Sequence, residues 1–272
     1  YDFSFIKVAY IDIEVSSDNG FPNVESASET VTAITFKIGK NCYVFGCEEF
    51  QHDRKDVYYL KCSSERALLE KFFKMWDKES PDIVTGWNVE TFDIPYLVNR
   101  AKQLFNEKKN PYRLLSPWKK VRQYAMFGMG GRELQAFEIY GVDTLDYLSM
   151  YRKFIYYNQE SYRLDHIANV ELGERKLDYS EQGTLHLLYK NDYQKFIEYN
   201  IKDVELVERL EGKLKLLEMV VSLAYLCKVN YRNTFGQVRM WDTLIYNHLL
   251  SKNIIIPPKT HASKSSNFEG AF

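Results

Sequence analysis

Apolar positions along this chain fall at two periods, and each change of period marks an element. Residues 7–15, Lys-Val-Ala-Tyr-Ile-Asp-Ile-Glu-Val, form a β-branched apolar run that predicts a short, largely buried strand. Val31–Ile38 and Cys42–Gly46, separated by Gly39-Lys40-Asn41, predict a hairpin, and Val57–Lys61 predicts a further strand. The period then lengthens. Leu68, Leu69, Phe72, Phe73 and Trp76 share one helical face, with Ser63 or Ser64 as the cap and the end before Pro81. Ile83–Thr85 predicts a short buried strand, and a helix begins at Asp93, with Pro95 tolerated in its first turn. Trp118 to Tyr140 carries apolar runs on both sides of Gly128-Met129-Gly130-Gly131, which predicts a long hairpin with a glycine-rich tip. A helix to about Phe154 follows, with Asp143 as its expected cap. Ser161 to Cys227 is mostly helical, with breaks expected at Gly173, Gly183 and Gly212. Met240–Leu250 predicts a last helix, and the Ser- and Lys-rich tail after Pro257-Pro258 has the composition of a linker.

Two carboxylates interrupt the apolar pattern of the first strand. Alternate side chains of a strand leave opposite faces, so Asp12 and Glu14, two apart, emerge side by side. An unpaired carboxylate inside a sheet is costly, and two in contact cost more. A divalent cation between them, or a strand end open to water, would relieve that cost. Asp203-Val204-Glu205 repeats the spacing within a helical pattern, where a step of two turns roughly 200° and points the acids apart. Tyr199 and Asp203, at i and i+4, share one helical face. Spacing alone makes Asp93 a helix N-cap.

Composition narrows the picture. The 272 residues, 45% hydrophobic, suffice for one large domain or a domain with an appended subdomain. The longest apolar stretch, around Leu216–Leu226, is too short for a bilayer and carries Glu218, so no membrane partner is expected. The N-terminus has no signal-peptide pattern and no initiator Met, which suggests a fragment. A formal charge of −1 does not mark a strongly basic nucleic-acid binder. A chain that gathers carboxylates around metals can nevertheless hold phosphates through them. Cys42, Cys47, Cys62 and Cys227 show neither CxxC pairing nor zinc-finger spacing, as expected for reduced thiols. The glycines at 128–131 match no phosphate-cradling motif and precede a strand. Aromatics reach 15%, with 21 Tyr, a surplus that suits a core and could also stack bases. Phe21, alone in the polar loop Ser16–Glu29, could serve either purpose.

Three distant stretches fit one pattern. Asp12-Ile13-Glu14, Asn88 through Phe92-Asp93, and Tyr199-x3-Asp203 resemble, in order and spacing, the three proofreading motifs of the 3′→5′ exonuclease domain of family B DNA polymerases. Gly86–Tyr96, Asn158-x2-Ser161-Tyr162-x-Leu164, Leu172-Gly173-Glu174-x-Lys176 and Trp241-Asp242-x2-Ile245-x-Asn247 are most similar to the polymerases of T-even-type bacteriophages. Gly270-Ala271-Phe272 resembles the family's junction between exonuclease and palm, whereas the polymerase signatures Asp-x2-Ser-Leu-Tyr-Pro-Ser and Asp-Thr-Asp do not occur.

The resemblance implies an α/β domain of the RNase H-like, DEDDy exonuclease fold: a central mixed sheet flanked by helices, with an inserted β-hairpin. It implies an exonuclease domain over residues 1–256 and a linker over 257–272 toward an absent palm domain. The implied activity is proofreading: hydrolysis of the 3′-terminal phosphodiester of single-stranded or frayed primer ends by two divalent cations, Mg²⁺ or Mn²⁺. Asp12, Glu14, Asp93 and Asp203 would be the ligands, with Asp12 bridging, and Tyr199 would orient the water. Phe21, Asn88, Phe92 and Lys176 would contact substrate. The implied partners are primer-template DNA and the rest of a replicative polymerase, with a monomer in the cytoplasm of an infected bacterial host. Two readings of other classes stand beside this one. A non-catalytic, single-stranded-DNA-binding module of the same fold would be marked by a lost carboxylate, and all four are present. A free-standing exonuclease acting on RNA is disfavoured by the hairpin and the junction motif.

Overall fold

The structure, a computed structural model, describes residues 2–16, 20–107, 110–127, 131, 133–178 and 184–256. In chain order the elements are β1 (Val8–Val15), β2 (Val31–Ile38), β3 (Asn41–Gly46), β4 (Val57–Lys61), α1 (Glu65–Glu79), β5 (Ile83–Thr85), α2 (Asp93–Leu104), β6 (Val121–Phe127) and β7 (Glu133–Ile139). There follow β8 (Asp143–Thr144), α3 (Tyr147–Phe154), α4 (Leu164–Leu172), α5 (Leu185–Asn191), α6 (Tyr193–Leu214), α7 (Leu216–Cys227) and α8 (Gln237–Leu250). Six strands form one mixed sheet in the order β4-β3-β2-β1-β5-β8, and β6 and β7 form a separate antiparallel hairpin. The chain divides into two compact units, residues 1–221 and 222–272. The second is helical in its described part.

The two faces of β1 explain the layers of the first unit. Ile11 and Ile13 stand opposite Phe36 and Ile34 of β2, and this face packs on α1 and α2. Phe36 lies 5.9 Å from the Phe72 ring and 5.4 Å from Trp76. Those two belong to the predicted stripe of α1, which is buried from Leu68 to Trp76. Ser64 caps that helix, accepting from the Ala67 N–H at 3.3 Å. The opposite sheet face carries Ala33, Cys42 and Val44, which pack on α5 and α6 through Leu188, Phe196, Ile197 and Ile201. Asp12 and Glu14 stand opposite Thr35 and Ala33, so the strand's period of two delivers both carboxylates to the α6 face.

Four sequence expectations need correction. Asp93 is the first residue of α2 rather than its N-cap: Phe92 holds that position, and Asp93 Oδ1 accepts from the Ile13 N–H of β1 at 3.0 Å. Asp143 does not cap α3. It joins β8 at the parallel edge of β5, and Asp146 caps the helix by accepting from the Ser149 N–H at 2.9 Å. Gly212 does not break the helical region. It lies inside α6, where a glycine costs about 1 kcal/mol, a penalty that burial of apolar residues such as Leu206, Val207 and Leu210 on the same helix offsets. The helix ends instead at Lys215, at a positive φ of 55°. The last helix starts at Gln237, before Met240. Gly173 does end α4, at a φ of 71°. Gly183, the hairpin tip at 128–130 with Arg132, and the tail from Pro257 lie outside the described residues.

All four cysteines carry free thiols, and among the described residues no helix is long and apolar enough to cross a membrane.

Candidate active site

The site forms at the carboxyl ends of β1 and β5, where two central strands part. β5 pairs with β1 only as far as Tyr10. Gly86 then lets the chain pass against β1, because a Cβ there would lie 2.4 Å from the Ile11 carbonyl oxygen. Asn88 turns the loop at a φ of 74°, and the turn sets Asp93 against the Ile13 N–H that β5 no longer covers. Asp146 anchors the loop from behind, accepting from the Glu90 N–H at 3.1 Å.

From the other side α6 lays Tyr199, Asn200 and Asp203 over the sheet, all three buried. Asn200 donates from Nδ2 to Asp12 Oδ2 at 2.7 Å. Lys176 comes from the loop after α4. That loop is tied down by the Lys176 N–H on Asp165 Oδ1 at 2.8 Å, and by Glu174, which pairs with Lys202 and Arg209 of α6. The Lys176 ammonium forms an ion pair with Asp203 and donates to the Tyr199 hydroxyl at 3.0 Å.

The carboxylates converge. One oxygen from each of Asp12, Glu14 and Asp203 lies within 4.8 Å of the others. Asp93 stands outside that set of three, but its charge reaches both Asp12 and Glu14. Burial, followed by repulsion from Asp203, Glu14 and Asp93, raises the Asp12 pKa well above the carboxylate range. Burial and the charge of Asp203 push Glu14 up to about 8. Asp93 rises to about 7 through burial, although the Ile13 N–H pulls it back. Asp203 is raised by burial against the attraction of Lys176. Burial opposes the Lys176 ammonium, but Asp203, Tyr199 and Asp12 attract it and hold its pKa above the ordinary lysine value. Burial and then Asp203 push the Tyr199 phenol up, so it stays a neutral hydroxyl at working pH.

These residues fit a hard divalent cation. The donor set is all oxygen, which suits Mg²⁺ or Mn²⁺ over zinc. Ligands about 2.1 Å from an ion stand about 4.2 Å apart across it, close to the spread of the three carboxylates. Asp203 Oδ1 is buried with no hydrogen-bond partner, which is costly unless something positive meets it.

Asp12, Tyr199, Asp203, Lys176 and Asn88 line a cleft of about 1180 Å³, whose rim carries Arg152, Arg163 and Arg175. Glu14 and Asp93 are buried beside Asp12. Asn88 also lines a second cleft of about 370 Å³ with Phe21, Phe92 and Gln135. There the exposed Phe21 ring lies 5.7 Å from Phe92. Phe21 therefore does not fold back into the core. Its loop is held from α2: Asn99 Nδ2 donates to the Val24 carbonyl at 2.9 Å, and Arg100 Nη1 donates to Ala27 and Ser28. The same Asn99 nitrogen donates to Gln135 of the hairpin at 2.7 Å. The predicted hairpin is present, paired from Val121↔Ile139 to Phe127↔Glu133.

Sequence reasoning thus named the residues that converge but missed those that hold them: Asn200, Asp146 and Asn99. Asn200 sat inside the Tyr199 motif, and Asp146 precedes an apolar stretch as a cap does. Asn99 left no local signal.

A mixed sheet flanked by helices, with carboxylates gathered at the parting of its central strands, defines an α/β domain of the RNase H-like type. The family model for DNA polymerase family B, exonuclease domain, matches residues 4–167, and the chain belongs to that family. It is 34% identical over 285 residues to the DNA-directed DNA polymerase of Escherichia phage RB69, covering 94% of this chain and 31% of that protein. It is 32% identical to the DNA-directed DNA polymerase of Enterobacteria phage T4, over 100% of this chain and 32% of that protein. The DNA polymerase delta catalytic subunit of Caenorhabditis elegans is 28% identical over 85% of this chain and 22% of its own length. The chain spans about a third of the length of the two phage relatives. Both agree with the resemblance to T-even-type polymerases carried by the motifs.

Proposed function

We propose that this chain is a 3′→5′ exodeoxyribonuclease that removes the terminal nucleotide from single-stranded or frayed primer ends, releasing deoxynucleoside monophosphates as the proofreading part of a replicative DNA polymerase. The observation that carries this reading is the approach of Asp12, Glu14 and Asp203 to within 4.8 Å of one another at a cleft that Asp12 and Asp203 line. Together with Asp93, these residues would hold two divalent cations, Mg²⁺ or Mn²⁺. When bound, the ions would supply activation of the attacking water and neutralisation of charge on the leaving 3′ oxygen. Tyr199 orients that water by a hydrogen bond, since a phenol with a raised pKa is a donor and not a base. Glu14 assists from the opposite side. Lys176, 3.0 Å from the Tyr199 hydroxyl, offers its ammonium to the scissile phosphate. Asn88, Phe92 and Phe21 border the path of the strand end, with Phe21 stacking on its bases.

The nuclease extends over residues 1–256, and 257–272 serves as a linker toward the rest of the polymerase. It works as a monomer in the cytoplasm of an infected bacterium. Digestion of 5′-labelled single-stranded DNA and RNA of one sequence, with Mn²⁺ or with EDTA, tests the reading. The expected outcome is stepwise shortening of the DNA from its 3′ end, release of 5′-mononucleotides, and no reaction in EDTA. DNA bound but uncut would favour a binding module, and faster digestion of RNA would favour a ribonuclease.

A further inference from the structure

Asp12, Asp93 and Asp203 are each held by a contact from a different element, and the contact to Asp12 forms a relay of its own. Asp12 of β1 and Thr35 of β2 are directly opposed across the antiparallel pair, so their side chains stand together on the α6 face. Asn200 of α6 closes the gap between them. Its Nδ2 donates to Asp12 Oδ2 at 2.7 Å, and its Oδ1 accepts from the Thr35 hydroxyl at 2.5 Å. Both Asn200 and Thr35 are fully buried, at 0% exposure. When a bound cation holds Asp12 ionised, the carboxylate only accepts hydrogen bonds, so Asn200 presents its amide NH₂ to it. That leaves its carbonyl oxygen facing Thr35, which therefore has to donate. With the cation bound, the direction of both hydrogen bonds in the relay is fixed.

We infer that Asn200, locked by Thr35, is a positioning residue that fixes the orientation of the Asp12 carboxylate and thereby sets how tightly the acidic cluster takes a divalent cation. The inference rests on the cluster's role as a metal site. With Oδ2 engaged by the amide, rotation of the carboxylate is restricted and its other oxygen keeps a constant aim. The Thr35 hydroxyl donates to the Asn200 amide, so its loss acts on Asp12 through Asn200. Replacing the hydroxyl by a methyl frees the amide to turn over and present its oxygen to Asp12. Outer-shell partners of this kind typically change metal affinity about 10–100-fold when removed.

The test is a Mn²⁺ titration of the full chain, read by electron spin resonance of free Mn²⁺, alongside thermal melting with Mn²⁺ and with EDTA. Asn200→Ala should weaken Mn²⁺ binding about 10–100-fold. Thr35→Val should weaken it about 3–10-fold, the effect of one hydrogen bond, and Thr35→Ser, which keeps the hydroxyl, should restore it. The rise in Tm that Mn²⁺ confers should shrink in the same order. A purely structural role would lower the Tm with and without the ion equally and leave that rise unchanged. If Asn200→Ala fails to fold, the Thr35→Val and Thr35→Ser pair decides. Parent-like Mn²⁺ affinity in Asn200→Ala and Thr35→Val would overturn this inference alone. A parent chain that binds no Mn²⁺ would overturn it together with the metal-site reading.

Discussion

Glu14, Asp93 and Asp203 are ionisable groups with only 8%, 3% and 3% of their surface exposed, whereas Phe21 and Phe127 are large apolar groups left 87% and 73% exposed. The two regions meet at Asn88, which lines both clefts, and each inverts the usual placement of its residue type. Buried charge is costly in proportion to its isolation, so the acidic cluster is gripped by β1, α2, α6 and the Lys176 loop together. Exposed aromatic surface costs far less, and the Phe21 loop and hairpin are fastened to α2 by a few hydrogen bonds such as those of Asn99. The lesson is that the cluster should respond to change almost all at once, whereas the aromatic border should respond by degrees.

Asp203→Ala should sharpen that contrast most. It removes a member of the three-carboxylate set and the ion-pair partner of Lys176, so metal-dependent digestion of single strands should fall by more than the roughly 10²–10⁴-fold typical of one positioned group. Tyr199→Phe should stay within that range and keep Mn²⁺ binding, because only an orienting hydroxyl is lost. Equal losses in the two variants, measured by single-turnover digestion, would break the division of roles between them.

Stability of the metal-free chain should depend on pH next most strongly. Glu14 and Asp93 have folded-state pKa values of about 8 and about 7 against ordinary values of 4.5 and 3.8, raised mainly by burial. The native state therefore holds protons that the unfolded chain has released. Their stabilisation is complete below about pH 4 and is lost as pH rises toward 8, at about 1.4 kcal/mol per pH unit for each retained proton. Urea unfolding in EDTA at pH 5 and pH 8 should show the decline, and Mg²⁺ at pH 8 should reverse it. A pH-independent midpoint in EDTA would mean that the carboxylates are not buried together.

The aromatic border should give smaller, substrate-dependent effects. Replacing Tyr124–Glu133 by a short Gly-Ser link, in the full polymerase, should spare single strands and slow digestion of paired ends, where unpairing costs a few kcal/mol. Equal loss on both substrates would make the hairpin a structural element. Phe21→Ala should weaken binding of a single-stranded end by about 1–3 kcal/mol, the contribution of one stacked base, as read by fluorescence of a 3′-terminal 2-aminopurine.

Much of the site was legible because its residues sit in short-range patterns. The alternation of β1 put Asp12 and Glu14 on one face, and helical spacing put Tyr199 beside Asp203. What failed was whatever depends on a distant backbone. On spacing alone Asp93 has the local signature of a cap; the motif placed it in the site, but its hydrogen-bond partner, the Ile13 N–H, lies 80 positions away in the chain. The Asn200 amide looks like ordinary helix surface until Thr35 and Asp12, 165 and 188 positions away, are folded beneath it. Asp143 and Asp146 compete for one cap, and the edge of β5 decides between them by drawing Asp143 into β8. Long-range pairing is what a local pattern does not carry.

Whether the buried carboxylates gather metal for cutting DNA is decided by 5′-labelled single-stranded DNA incubated with Mg²⁺ and either the parent chain or Asp12→Ala with Glu14→Ala. The parent should shorten the strand from its 3′ end, and the double variant should show no digestion above the EDTA background. Digestion at the parental rate by the double variant would contradict that role.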